Sequence, residues 1–156
     1  MMVRSDDGEL YRKHADDLVS LATALVGPSA APDVVAAAVA RTLASRQWDE
    51  VENRYAYWVR AVVNEARSSH RSTLRRLSRE EAVTRQDERF VEDAPRLHPE
   101  VLRAVAGLSL QQRTVTYLAY WQDLPASEIA ETLAISEGAV RRHLARARSK
   151  LRRSLS

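Results

Sequence analysis

The stretch SEIAETLAISEGAVRRHLARARSKL, residues 127–151, decides the fold, because it reads as two helices meeting in a tight turn. Ile129 and Leu133 give the first helix an apolar stripe, the small Ala130 lets the second approach closely, and Ser136 can cap the second through its side-chain oxygen. Such spacing is that of a helix-turn-helix. Counting about 100° per residue from Val140, the residues Leu144, Ala147 and Leu151 fall within about 40° of it and face a core. The opposite face then holds Arg142, Ala145, Arg146 and Ser149, with Arg141 and Arg148 on one flank and His143 and Lys150 on the other.

That outward face has the chemistry to read duplex DNA. In the major groove an Arg donates two hydrogen bonds to guanine, a small Ala lies against a thymine methyl, and flanking cations suit phosphates. Arg142, Ala145, Arg146 and Ser149 are therefore expected at base edges, and Arg141 and Arg148 at the backbone. Residues 136–156 carry seven Arg or Lys against one acidic residue, Glu137. An ordinary solvated face held by alternating ion pairs lacks such a bias.

Outward from this pair, residues 100–106 and 110–122 read as two more helices, and the motif helices as 127–134 and 137–153. In the first half, Leu10, His14, Leu18, Leu21 and Leu25 recur at helical spacing over 9–26 until Gly27 and Pro28 stop the pattern. Residues 31–45 are rich in Ala and Val, with Pro32 in a first helical turn and Asp33 at its positive dipole end. A polar loop over 46–53 precedes a long helix over 55–77, free of Gly and Pro. No strand-type alternation of useful length occurs, so the fold class is all-α. Residues 78–99 turn polar, mix both signs of charge and carry Pro95 and Pro99, the composition of a linker. The expected organisation is two small helical domains, 1–78 and 99–156, joined by a linker at 79–98.

Composition narrows the function classes. The 156 residues are 45% hydrophobic and 29% charged, as in a globular chain, and the net charge of only +3 means that any nucleic-acid argument rests on where the cations lie. There is no cysteine, which removes disulfides, thiolate metal sites and a cysteine nucleophile together. The four histidines, at 14, 70, 98 and 143, show no metal or triad spacing. Acidic residues gather in 5–17 and in the linker, where solvent exposure is expected. No enzyme activity, metal or cofactor is therefore expected. No apolar run approaches the roughly 20 residues of a membrane span, and the start is acidic and polar, so the expected location is the cytoplasm.

With these residues in view, the chain resembles the extracytoplasmic-function sigma factors. Residues 108–153 are similar to their region 4: Leu108, Gln112 and Arg113 resemble its Leu-Pro-x-x-Gln-Arg opening, Glu128 to Ala130 with Leu133 its first motif helix, and Gly138 to Arg141 its Gly-Thr-Val-Lys start of the recognition helix. The resemblance implies that Arg141, Arg142, Ala145 and Arg146 read a minus-thirty-five promoter element. Two features depart from the pattern: Pro125 stands where a Ser cap is common, with Asp123 as a substitute cap, and Arg142 and His143 replace a more usual Ser-Arg.

The first half resembles region 2 of the same family more weakly. Residues 56–67, AYWVRAVVNEAR, look like the segment that meets the minus-ten element, which implies contacts from Arg60, Asn64, Arg67 and Ser68. Asn suits an unpaired base and Arg a phosphate, and the loop 46–53 suits a flipped base, with Trp48 and Tyr55 offering stacking faces. Tyr57, Trp58, Val62 and Val63 read instead as a core stripe. The resemblance further implies core RNA polymerase, promoter DNA and an anti-sigma protein as partners. In the family the second helix grips polymerase with acidic and Gln residues; here only Asp33 and Arg41 stay polar on its early part. An apolar contact through Val35 and Val39 is the expected substitute.

Two other classes fit parts of the pattern. A DNA-binding regulator that keeps the helix-turn-helix without engaging polymerase accords with Ala36, Ala37 and Ala38, and a docking surface for a regulatory partner accords with the same apolar helix.

Overall fold

The computed structural model describes residues 5–77 and 99–155, and a patterned apolar face drives most of its helices. Seven α-helices and a single 3-10 turn occur among the described residues, with no strand among them. The chain parts into two compact units, Met1–His70 and Arg71–Ser156. The linker expected at 79–98 lies outside the described residues.

In the first unit, α1 (Ser5–Val26) buries Leu18, Leu21, Ala22 and Leu25, one side of the predicted stripe. It ends at Gly27, whose φ of 87° only glycine adopts without strain, and the Gly27 N–H donates to the Thr23 carbonyl at 2.9 Å. Helix α2 (Ala31–Ala44) packs on α1, opening with Pro32 and Asp33 and no side-chain cap. The segment expected to be a loop holds the 3-10 turn Trp48–Glu50. Helix α3 (Arg54–Leu77) starts where the Asn53 side chain accepts from the Ala56 N–H at 3.0 Å.

Trp58, fully buried on α3 beside Val59, Val62, Val63 and Ala66, centres this core. Its Nε1–H donates to Thr42 Oγ1 on α2 at 2.8 Å, the ring of Tyr11 on α1 meets it edge-on at 6.1 Å, and Trp48 stacks on it at 5.1 Å. One tryptophan thus ties three helices and the 3-10 turn. Burying a side chain of about 200 Å² is worth about 5 kcal/mol, provided its N–H keeps a partner.

In the second unit, α4 (Pro99–Ala106), α5 (Leu110–Tyr120) and α6 (Ala126–Leu133) all pack against α7 (Glu137–Leu155). Leu108, Leu110, Val115, Leu118, Ile129, Val140 and Leu144 fill the space between them. A capping box opens α5: the Gln112 N–H donates to Ser109 Oγ at 3.2 Å, and the Ser109 N–H donates back to Gln112 Oε1 at 3.0 Å. Helix α6 has no side-chain cap, because Pro125 occupies that position. Asp123 does not act as the substitute; it sits two residues earlier at a φ of 53°, in the left-handed region that Asp tolerates better than most residues.

The turn between α6 and α7 is strained at one residue. Ala134 closes α6 at φ 55° and ψ 45°, where a Cβ costs about 1 kcal/mol or more. Ala134 is exposed and loses no burial when trimmed. Ala134→Gly should therefore raise the melting temperature of the second unit by a few degrees, partly offset by the freer unfolded chain. A thermal melt followed by circular dichroism measures this, and an unchanged or lower midpoint would contradict the strain.

Candidate nucleic-acid interface

Helix α7 is set by the elements around its first turn. Ser136 Oγ accepts from the Ala139 N–H at 3.0 Å, as its position in the sequence predicts, and the Ile135 N–H donates to the Ala130 carbonyl at 3.1 Å. Val140, Leu144 and Ala147 are buried and Leu151 half-buried, so the core side of the helix lies where the apolar spacing puts it. Arg142, Ala145, Arg146 and Ser149 are exposed on the other side, as are Arg141 and Arg148, while His143 and Lys150 are half-buried.

Several of the flanking cations already have partners. Arg141 Nη2 pairs with Glu137 Oε1 at 3.0 Å, one turn back on the same helix. Both groups are solvated, so the pair is worth little and yields readily to a phosphate. Arg148 Nε donates to the Tyr120 hydroxyl at 2.5 Å, and its guanidinium lies 5.7 Å from the centre of that ring. Lys150 Nζ donates to Gln112 Oε1 at 3.1 Å, fastening the far half of α7 to the start of α5. Burial, then Arg146 and Arg142, push the His143 imidazole below its usual value, so at pH 7 it is mainly neutral and adds little to the field. Arg142 and Arg146 take part in none of these pairs and point their charge outward.

A second candidate surface lies on the first unit. Arg60, Asn64 and Ser68 are exposed along α3 and Arg67 is half-buried. Arg60 and Asn64, one turn apart, line a cavity of about 350 Å³ with Arg41 and Thr42 of α2, Gln47 of the preceding loop, and Tyr57. Among the lining residues, Arg41 Nη1 pairs with Glu65 Oε1 at 2.7 Å. The hollow has two side-chain amides, two guanidinium groups and one aromatic ring, the groups that hold an unstacked base.

Four expectations need correction here. Val35 and Val39 are 1% and 9% exposed and belong to the core of this unit, so they offer no surface to polymerase. The side chains that α2 does expose are Pro32, Asp33, Ala36, Ala40, Arg41 and Ala44; valine buries more apolar area than alanine and so takes the inner face. Trp48 is 4% exposed and offers no stacking face, being held between Trp58 and the guanidinium of Arg54, 5.0 Å from its ring. Tyr55 is half-buried, with one face taken by His14 at 4.2 Å. The core stripe holds for Trp58, Val62 and Val63, whereas Tyr57 is half-buried and faces the cavity.

Asp7 is the fourth correction, since it is not solvated but 3% exposed. Its Oδ1 accepts from Trp48 Nε1 at 3.1 Å and from Arg54 Nη1 at 3.3 Å, fixing the 45–53 segment, which carries Gln47, against α1. The signal was in the spacing: Asp7 stands three residues before Leu10 and seven before His14, on the apolar side of α1. Gln112 was legible too, as the last residue of the Ser-x-x-Gln capping pattern.

The chain is similar to a set of known proteins in sequence and in fold. Residues 98–151 match the family model described as sigma-70, region 4. Over 155 aligned residues the chain is 32% identical to the RNA polymerase sigma-E factor of Streptomyces coelicolor, covering 94% of this chain and 84% of that protein. The sigma-E factor of Streptomyces antibioticus is likewise 32% identical, with 94% and 83% covered. In fold, the chain resembles the sigma factor RpoE solved in complex with the anti-sigma factor NepR from Bartonella quintana, with a TM-score of 0.75, 19% identity, and 97% and 98% of the two chains covered.

Proposed function

Since the chain belongs to the extracytoplasmic-function family of RNA polymerase sigma factors, which are not enzymes, we propose that it joins core RNA polymerase and directs initiation at promoters by reading two elements. The observation that carries this reading is the outward face of α7, where Arg142, Ala145, Arg146 and Ser149 stand clear of the core. They meet base edges of the minus-thirty-five element, with Arg141 and Arg148 on the adjacent phosphates. Arg60, Asn64, Arg67 and Ser68 take the minus-ten element as a separated strand, Asn64 at the cavity it shares with Gln47. Asp33 contacts the polymerase. Arg41 is better assigned to the cavity, where Glu65 holds it.

The solved relative was crystallised with an anti-sigma factor, and the same class of partner is proposed for this chain. No helix among the described residues is long and apolar enough to cross a membrane, and the proposed site of action is the cytoplasm, where polymerase is.

One observation favours a second reading. With Val35 and Val39 inside the core, the exposed face of α2 offers four alanine or proline side chains beside Asp33 and Arg41, a thin polar grip on a partner helix. The alternative is a helix-turn-helix regulator that binds duplex without engaging polymerase. Run-off transcription from a promoter library with added core polymerase separates the two. Specific transcripts are expected; duplex binding without core binding or transcripts would establish the regulator instead.

A further inference from the structure

Tyr120 lies outside the helix-turn-helix, near the end of α5, yet its side chain is 52% exposed and meets the recognition helix. Its hydroxyl oxygen accepts from Arg148 Nε at 2.5 Å, and its ring lies under the same guanidinium at 5.7 Å. Counted from Val140 at about 100° per residue, Arg148 falls at about 80° and Arg141 at about 100°, so both occupy one flank of α7. A helix seated in a major groove has its reading face on the base edges and each flank toward a phosphate backbone. Tyr120 therefore stands beside the flank that a backbone would pass.

We propose that Tyr120 and Arg148 form a two-donor clamp for one phosphate of the duplex, with the tyrosine hydroxyl as a direct ligand. Resting on the reading of α7 as the promoter-binding helix, this adds a DNA contact from α5. The hydrogen-bond inventory requires the roles. Arg148 spends its Nε–H on the tyrosine oxygen, so that oxygen is the acceptor and its own O–H remains to donate. The terminal Nη groups of Arg148 remain as well. A hydroxyl that accepts from a cation is a stronger donor in turn, which suits an anionic acceptor. The ring also restrains a long side chain before the DNA arrives, lowering the ordering cost of the contact. Stacking of Tyr117 on Trp121, at 6.0 Å and 9° between planes, stiffens the end of α5 from which Tyr120 projects.

The test uses the full chain, alone and with core polymerase, on a duplex it selects from a random library. Tyr120→Phe keeps the ring and removes only the hydroxyl. It should weaken binding about tenfold, the scale of a hydrogen bond to a charged group, and by the same factor on unrelated sequences. Because the hydroxyl is neutral, the salt dependence should stay as in wild type, whereas Arg148→Ala should lower the slope by about one. Replacing duplex phosphates one at a time by neutral methylphosphonate should find a position that costs the wild type about tenfold and Tyr120→Phe clearly less. If Tyr120 acted only by holding Arg148, the salt slope would fall in Tyr120→Phe as well, and the direct ligand would be excluded. Wild-type affinity and an unchanged methylphosphonate profile in Tyr120→Phe would overturn the clamp alone. A wild-type chain that selects no duplex in either form would overturn the clamp together with the promoter reading.

Discussion

Asp7→Ala is expected to destabilise the first unit by about 3 kcal/mol, lowering its melting temperature by 10 °C or more. The carboxylate is buried and accepts from both Trp48 Nε1 and Arg54 Nη1. Its loss strands a buried indole N–H, which costs about 1 to 3 kcal/mol, and leaves the guanidinium over Trp48 with Asp6, at 3.7 Å, as its counter-charge among the described residues. Arg54 is partly exposed, so water takes up some of its deficit and the total stays near the lower end for a broken buried pair. Asp7→Asn keeps an acceptor for Trp48 and should lose about half as much. Calorimetry of the two variants against wild type measures both, and an Asp7→Ala midpoint within two or so degrees of wild type would show that the buried carboxylate contributes nothing net.

Arg142→Ala and Arg146→Ala should each weaken binding to the selected duplex by about 1 to 3 kcal/mol, with base preference lost at one position apiece. The two residues are one turn apart on the exposed face of α7, away from Val140 and Leu144, so neither substitution disturbs the core. Their losses should not add fully, because neighbours on one helix face share a groove position. Repeating the selection with each variant separates them from the flanking cations: a relaxed motif is expected here, whereas a uniform loss belongs to a phosphate contact. A motif unchanged in both identity and strength would remove Arg142 and Arg146 from the reading face.

Elements whose two faces differ sharply were legible in the sequence. In α7 the residues Val140, Leu144 and Ala147 alternate with arginines at helical spacing, and local periodicity alone sets inside from outside. In α2 the run from Val34 to Ala40 is apolar all round, so no polar contrast marks a face, and the packing partner decides which side is covered. The three valines of the run, with Ala38, make up the covered side, which turns Val35 and Val39 inward. Trp48 and Asp7 are 41 residues apart in sequence, and a hydrogen bond between them leaves no local pattern in the turn that carries the tryptophan. The same holds for the cavity, whose walls come from α2, the following loop and α3, although Arg60 and Asn64 were identifiable as outward residues of one helix.

The tryptophans make the molecule its own two-channel optical reporter. Trp48 and Trp58 are stacked at 5.1 Å, with 17° between planes, and sealed inside the first unit, whereas Trp121 in the second is 59% exposed. A water-soluble quencher such as iodide therefore dims Trp121 and spares the buried pair, whose closely coupled indoles give a circular-dichroism couplet in the ultraviolet. Mixed with DNA, which carries no tryptophan, the unlabelled protein would show through the iodide-accessible signal whether the surface around Trp121 is covered, while the buried pair reports that the first unit stays folded.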